Sequence, residues 1–228
     1  MSFGKNLLFL RKMHGDMTQE KLAEKMKVSR QTISKWEMDG AFPEMEKAIQ
    51  LCGIFNCSLD ELLRGDINLD NPAYSEIRIT TVKAFQYVKY TVISDAPEDD
   101  AKNHMALWAK KNHILSPDII GWDFPFLSKE QINVYHMHGY TTACILPENF
   151  TCENVSVDCQ KEHRYVKITI EDPFTNPFVL IPNAYQTLMR YIEVNQLGGR
   201  DVKEVLSCFE KEYRHNGTDY MDIYLVID

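Results

Sequence analysis

No run of apolar residues in this chain of 228 approaches the roughly 20 that a membrane-crossing helix requires. The opening Met1-Ser-Phe-Gly-Lys-Asn6 lacks a charged region followed by an apolar core and a cleavage site, so secretion is not signalled. There is no C-x-x-C pair: Cys52, Cys57, Cys144, Cys152, Cys159 and Cys208 are scattered and read as reduced thiols of a cytoplasmic protein. Cys152 and Cys159 would form a redox pair only if strands brought them together. His136 and His138, two apart, would share one face of a strand, but no third ligand stands at a useful spacing. No metal and no cofactor are therefore expected. A coiled coil is also missing, so any dimer must be made by globular surfaces. What remains is of ordinary globular composition, 44% hydrophobic and 25% charged, and long enough for two modest domains.

The net charge of −8 argues against nucleic-acid binding until its distribution is read. Residues 1–65 hold ten Lys or Arg against nine Asp or Glu, and residues 66–228 hold fifteen against twenty-four. The acidic excess lies wholly in the second part. The first can still present a basic face to phosphate, while the second favours cationic partners.

Phe3, Leu7, Leu8 and Leu10 have helical spacing, and the helix they predict ends near Met13 because Gly15 breaks it. Thr18 caps a second helix reaching Met26, with Leu22, Ala23 and Met26 inward. The short turn Lys27-Val28 then leads to Ser29-Arg-Gln-Thr-Ile-Ser-Lys-Trp36, which Ser29 caps. Ile33 and Trp36 share its buried face, and Glu37 is structural. Arg30, Gln31, Ser34 and Lys35 face outward with the chemistry for base edges and phosphates. Thr32 either contacts the groove or bonds its own preceding turn. Two short helices joined so tightly form a helix-turn-helix unit. Pro43 opens a fourth helix that buries Met45, Ala48, Ile49 and Cys52. Ser58-Leu-Asp-Glu61 is a capping box for a fifth, through Leu62 and Leu63.

The pattern Thr18-Gln-Glu-Lys-Leu-Ala-Glu24, Ser29 to Glu37 and the closing Phe55-Asn-Cys-Ser-Leu-Asp-Glu-Leu-Leu63 resembles the Cro/C1-type (XRE) helix-turn-helix family from about Phe3 to Asp66. The resemblance implies that Gln19 contacts backbone phosphate and that Arg30, Gln31, Thr32, Ser34 and Lys35 face the groove. Met38-Asp39-Gly40 departs from the Asn-Gly the family often carries there.

Asp, Asn, Gly and Pro cluster between Arg64 and Tyr74, predicting a linker. Beyond it the period changes to that of strands, at Ile77–Val82, Phe85–Val92, Ile119–Phe124, Ile132–Met137 and Tyr140–Leu146. A helix opened by Pro97 runs to Asn112 with Ala101, Met105, Trp108 and Ala109 on one side. The order then repeats, with strands at Cys152–Val157 and Tyr165–Ile170, a helix from Pro182 or Asn183 to Val194, and strands at Cys208–Tyr213 and Tyr220–Ile227. Trp108-Ala-Lys-Lys-Asn112 aligns with Tyr191-Ile-Glu-Val-Asn195, and Tyr140–Pro147 aligns with Tyr220–Asp228. The expected architecture is an all-α five-helix domain over residues 1–66, a linker over 67–75, and an α+β domain over 76–228. The latter consists of two duplicated β-α-β-β units, an antiparallel sheet backed by two helices, with a ligand groove along the pseudo-twofold.

Gly121-Trp-Asp-Phe-Pro125, Gly139-Tyr-Thr-Thr-Ala-Cys-Ile-Leu-Pro147 and Met221-Asp-Ile-Tyr-Leu-Val-Ile-Asp228 resemble the GyrI-like small-molecule-binding domain, also the effector-binding part of some AraC- and MerR-type regulators. The ending Leu-Val-Ile-Asp departs from the family's common Ile-Pro-Ile. The resemblance implies an aromatic-lined cleft holding an acid that meets cationic or amphipathic molecules. Phe209-Glu-Lys-Glu-Tyr213 matches the strand that carries it, so Glu210 is the candidate and Asp222 the reserve; an exposed strand carboxylate is the competing reading. Trp108, Trp122, Tyr135, Tyr140 and Tyr191 are candidate walls, each with plain core as its alternative. The chain is thus expected to be a cytoplasmic regulator that binds double-stranded operator DNA as a homodimer and senses a small-molecule effector, without enzymatic activity. The alternatives are a hydrolase using Glu210 with Tyr135 or Tyr191, and a second domain that binds a protein.

Overall fold

The computed structural model describes residues 2–15, 17–65, 71–148, 150, 155–198 and 202–228. In chain order the elements are α1 Phe3–Met13, α2 Gln19–Met26, α3 Arg30–Glu37, α4 Met45–Phe55, α5 Leu59–Leu63, β1 Arg78–Val82, β2 Phe85–Ser94, α6 Pro97–Lys111, β3 Asp118–Asp123, α7 Lys129–Asn133, β4 His138–Ile145, β5 Asp158–Gln160, β6 His163–Glu171, a 3-10 turn Pro173–Thr175, α8 Pro177–Val194, β7 Cys208–His215 and β8 Thr218–Val226. Contacts divide them into two units: residues 1–74, 177–198 and 228, and residues 75–176 and 199–227. No helix among the described residues is long and apolar enough to cross a membrane.

The first unit forms where its caps dictate. The Thr18 hydroxyl accepts from the Lys21 amide at 3.2 Å and the Ser29 hydroxyl from the Thr32 amide at 3.1 Å, so α2 and α3 start where orphan amides find side-chain oxygens. Lys27, left-handed at φ 53°, closes α2 and makes the turn into α3. Both halves of the Ser58–Glu61 capping box are present. Asn6, fully buried, donates to the carbonyls of Glu61, Leu62 and Gly65, satisfying the end of α5. Leu7, Leu10, Leu22, Met26, Ile33, Leu51, Phe55 and Leu62 are fully buried. Gly4 lets α1 approach the end of α3: a Cβ there would stand 2.6 Å from the carbonyl oxygens of Trp36 and Glu37.

Helix α4 buries Ala48, Leu51 and Phe55, while Met45 and Ile49 are exposed, which corrects the expected face. Apolar residues nearly encircle this helix, so the period alone could not choose, and the face carrying Phe55 won. Pro182 lies inside α8, which begins five residues earlier than the sequence signals suggest. The helix belongs by its contacts to this unit. Asn195 Nδ2 donates to the Met13 carbonyl at 2.8 Å, His14 Nδ1 lies 2.9 Å from the Val194 carbonyl, and Arg190 pairs with Glu61.

The second unit is an eight-stranded antiparallel sheet in the order β1-β6-β8-β7-β3-β4-β2-β5. The expected repeat is visible in that order: β2, β3 and β4 lie beside β7, β8 and β6 as mirror halves, with β3 and β7 central. They meet at the register pair Gly121↔Glu210. The alignment of the two repeat helices also has a physical counterpart. Asn112 Nδ2 donates to the Trp108 carbonyl and Asn195 Nδ2 to the Tyr191 carbonyl, each at 2.9 Å, closing α6 and α8 in the same way. Of the two helices, α6 packs on β2 and β4 of the sheet, burying Ala101, Met105 and Ala109 as its spacing predicts.

Two strand expectations are corrected. Ile132–Met137 is instead the short helix α7 followed by a turn, because Ser128 and Gln131 form a capping box that outcompetes the β-like composition. The strand expected at Cys152–Val157 is found at Asp158–Gln160; Cys152 itself lies outside the described residues. Residues 67–70 of the expected linker do too.

Candidate functional site

In the first unit, α3 presents Arg30, Gln31 and Lys35 exposed, with Thr32 and Ser34 half-buried beside them. Arg30 is held lightly, its Nε 2.7 Å from Glu20 Oε1 with both side chains about two-thirds exposed, a pair worth little in water. The Thr32 hydroxyl sits 2.9 Å from that of Ser29, so its local bond is formed. Behind this face Trp36 is 4% exposed, in the core. Glu37 anchors the helix from below. Its carboxylate accepts from Arg11 Nε at 2.5 Å and Nη2 at 3.1 Å, and from Gln19 Nε2 at 2.8 Å. The Gln19 amide, expected at phosphate, is thus bonded to Glu37. Sequence reasoning missed Arg11; it lies 26 residues from its partner, and no local pattern links them.

In the second unit a cavity of about 560 Å³ opens where β3 and β7 meet, roofed by α6. Glu210, Glu212, Tyr140, Thr142, Lys102 and Asp118 are among its lining residues. Tyr140 comes from β4, which pairs with β3 with Trp122 opposite Thr141 and Asp123 opposite Tyr140, and its hydroxyl donates to Glu210 Oε2 at 3.1 Å. Burial, reinforced by the carboxylates of Glu210, Glu212 and Glu98, pushes the Tyr140 phenol far above its ordinary range, so the ring keeps its proton. Gly121 makes room for that ring: a Cβ there would stand 2.8 Å from Tyr140 Cε1 and closer still to the hydroxyl. Two lysines line the same wall: Lys102 Nζ is 2.7 Å from Glu212 Oε1, and Lys211 Nζ is 2.7 Å from Asp118 Oδ2. Three carboxylates against two ammonium groups leave the lining with an acidic excess.

Of the named candidates, Glu210 and Tyr140 are brought together here and the others are not. Trp122 lies on the other face of β3, edge-on to Tyr87 at 6.2 Å. Trp108 packs with Met105, Ala109, Ile114 and Cys144, edge-on to Phe150. Tyr135 is exposed in the turn after α7, its hydroxyl 3.4 Å from Glu130. Tyr191 belongs to α8 in the first unit. Asp222 is buried in a network of its own, accepting from Thr169 Oγ1 at 2.6 Å and Lys167 Nζ at 2.8 Å. Alternate residues of a strand point to opposite faces, which is why neighbours in the sequence part company. His138 begins β4 whereas His136 is in the preceding turn at φ 51°, and among the described residues no three His, Cys, Asp or Glu gather in a form that would hold a metal.

The capped α2–turn–α3 pair, with its polar outer face, defines a helix-turn-helix domain. Residues 7–62 match the family model described as Helix-turn-helix. The HTH-type transcriptional activator BcrR of Enterococcus faecalis is 39% identical over 88 residues, which are 39% of this chain and 42% of that protein. The chain therefore spans less than half the length of that curated relative. A structure of the P22 c2 repressor in complex with a synthetic operator aligns at 32% identity over 29% of this chain and 98% of that one, with a TM-score of 0.28. A cryo-EM structure of an EcmrR–DNA complex aligns over 92% of this chain and 98% of that one, at 10% identity and a TM-score of 0.46.

Proposed function

We propose that the chain is a ligand-responsive transcriptional regulator. Its helix-turn-helix binds operator DNA, with Arg30, Gln31, Ser34 and Lys35 in the major groove and Gln19 and Thr32 at its margin. Its second unit binds a small, cationic, aromatic effector. One recognition helix reads few base pairs, so the protein acts as a homodimer on half-sites about 34 Å apart. Effector binding shifts DNA affinity by its differential affinity for two arrangements of the protein, and by no more.

The observation that carries the ligand reading is the hydrogen bond between Tyr140 and Glu210 at the wall of a cavity of about 560 Å³. A small-molecule site of this size, walled by an aromatic ring and an acidic excess, suits an organic cation. Its volume also speaks against a flat protein-binding face. The test is Glu210→Gln, which keeps the shape and removes one charge. Binding of benzyltrimethylammonium should weaken about tenfold, as loss of a partly desolvated ion pair would give, while its uncharged isostere neopentylbenzene binds as before. Equal losses for both would remove Glu210 from the reading.

The same tyrosine–glutamate contact is what a hydrolytic reading needs, with Tyr140 in place of Tyr135 or Tyr191. A sensor returns its ligand unchanged. Product formed from a strained electrophile, and lost in Tyr140→Phe, would favour the enzyme instead.

A further inference from the structure

Lys102 does not simply neutralise a surface acid. It stands on α6 with its side chain about a quarter exposed, Nζ 2.7 Å from Glu212 Oε1 and 3.9 Å from Glu98 Oε2. The same ammonium lies 5.6 Å from the centre of the Tyr140 ring and 6.0 Å from that of Phe174, on the 3-10 turn Pro173–Thr175. Two ring faces and two carboxylates around one ammonium are the set of groups that recognises an alkylammonium ligand. The chain has put its own cation there.

We propose that Lys102 is an internal occupant of the effector's cation subsite, and that an ammonium-bearing ligand binds by displacing it. This rests on the reading of the Glu210–Tyr140 cavity as an effector site. Lysine suits the role, because a strongly hydrated point charge on a flexible four-carbon stem returns to water at little cost. A quaternary ammonium is less hydrated and gains more from the rings. The competition multiplies apparent affinity by the fraction of molecules in which the lysine is withdrawn, and it does so for cations and not for neutral compounds that leave the subsite alone. Lys102 would thereby set a threshold, excluding weakly held amines and admitting quaternary or bulky tertiary ones attached to an aromatic body that fills the rest of the cavity.

The test is calorimetric titration of the full chain with benzyltrimethylammonium and with neopentylbenzene. Lys102→Met should bind the cation about tenfold more tightly than the unmodified chain, as expected if the subsite is closed about nine-tenths of the time. Lys102→Gln carries the same expectation should the methionine variant fold poorly, and the melting temperature without ligand reports which does. Lys102→Arg should stay near the starting affinity, and neopentylbenzene should be indifferent to every change. Lys110→Met, on the same helix, controls for general loss of positive charge. Equal cation affinity in the unmodified chain and in Lys102→Met overturns the proposal while leaving the Glu210 site standing. The same gain in Lys110→Met also overturns it, by reducing the effect to net charge. Cation binding in none of the proteins removes the site and the proposal together.

Discussion

Replacing Glu37 by glutamine strikes the joint that holds the recognition helix. The carboxylate is 4% exposed and its Arg11 partner 12%, so the pair is nearly dry. Three donors converge on its two oxygens: Arg11 Nε, Arg11 Nη2 and Gln19 Nε2. Glutamine keeps one acceptor and turns an amide NH₂ toward a guanidinium or toward the Gln19 NH₂, so at least one donor must go unpaired beside an uncompensated charge. Removing one member of a buried pair costs about 3–5 kcal/mol. The lower end applies, because one acceptor survives and Arg11 Nη1 keeps its 2.6 Å bond to the Met17 carbonyl. The two units need not unfold together, so the readout is urea unfolding followed at Trp36 alone, with Trp108 and Trp122 replaced by phenylalanine. An apolar pair, Arg11→Met with Glu37→Leu, should recover most of the loss, and the double-mutant cycle isolates the coupling. A cost below about 1 kcal/mol, the scale of exposed ion pairs, would refute the view that this pair fixes α3 on α1 and α2.

On operator DNA, Arg30→Ala should lose about 1–3 kcal/mol and relax preference at one base pair, whereas Lys35→Ala should weaken all sequences alike and reduce the salt slope by about 1. Binding titrations over a range of salt separate the two, and unchanged affinity in both would end the groove assignment. At acid pH the Glu61 carboxyl is informative. The Ser58 backbone amide, with further help from Arg190 against partial burial, holds it down to about 2. Since its ordinary value is about 4.5, its contribution to stability is full above that pH and drains away as pH falls toward 2. The stability difference between the unmodified chain and Glu61→Gln should therefore shrink across that window; a difference independent of pH would contradict it.

The helices of the first unit were legible because their signals are local. Thr18, Ser29 and Ser58 cap within three residues of themselves, and α1 to α3 begin and end within a residue of expectation. Periodicity was less informative where apolar residues ring the helix, as in α4, or where a capping box overrides strand-forming side chains, as at Ser128. The grouping of α8 with the first unit rests on Arg190–Glu61, Asn195–Met13 and His14–Val194, contacts more than a hundred residues long that no window contains. In the cavity, Glu210 was legible from its strand motif and Tyr140 from its place beside Gly139. Lys102, with the Phe174 ring beside it, and the room that Gly121 leaves for the Tyr140 ring were not. The i,i+4 spacing of Glu98 and Lys102 signals only a surface pair, and what makes it more is two rings brought over it from distant elements.

The grouping of α8 also bears on experiment: a fragment beginning at residue 67 would strip that helix of its partners, so ligand work belongs on the full chain. The most direct test of the account is the affinity of the full chain for an operator selected from random DNA, measured at fixed salt with and without saturating benzyltrimethylammonium. The cation should move the dissociation constant by about 5–150-fold, the usual scale of coupling between sites, and Glu210→Gln should need about tenfold more cation for the same shift without altering affinity for DNA alone. A cation that binds in the Glu210 cavity and leaves the DNA affinity unchanged would contradict it.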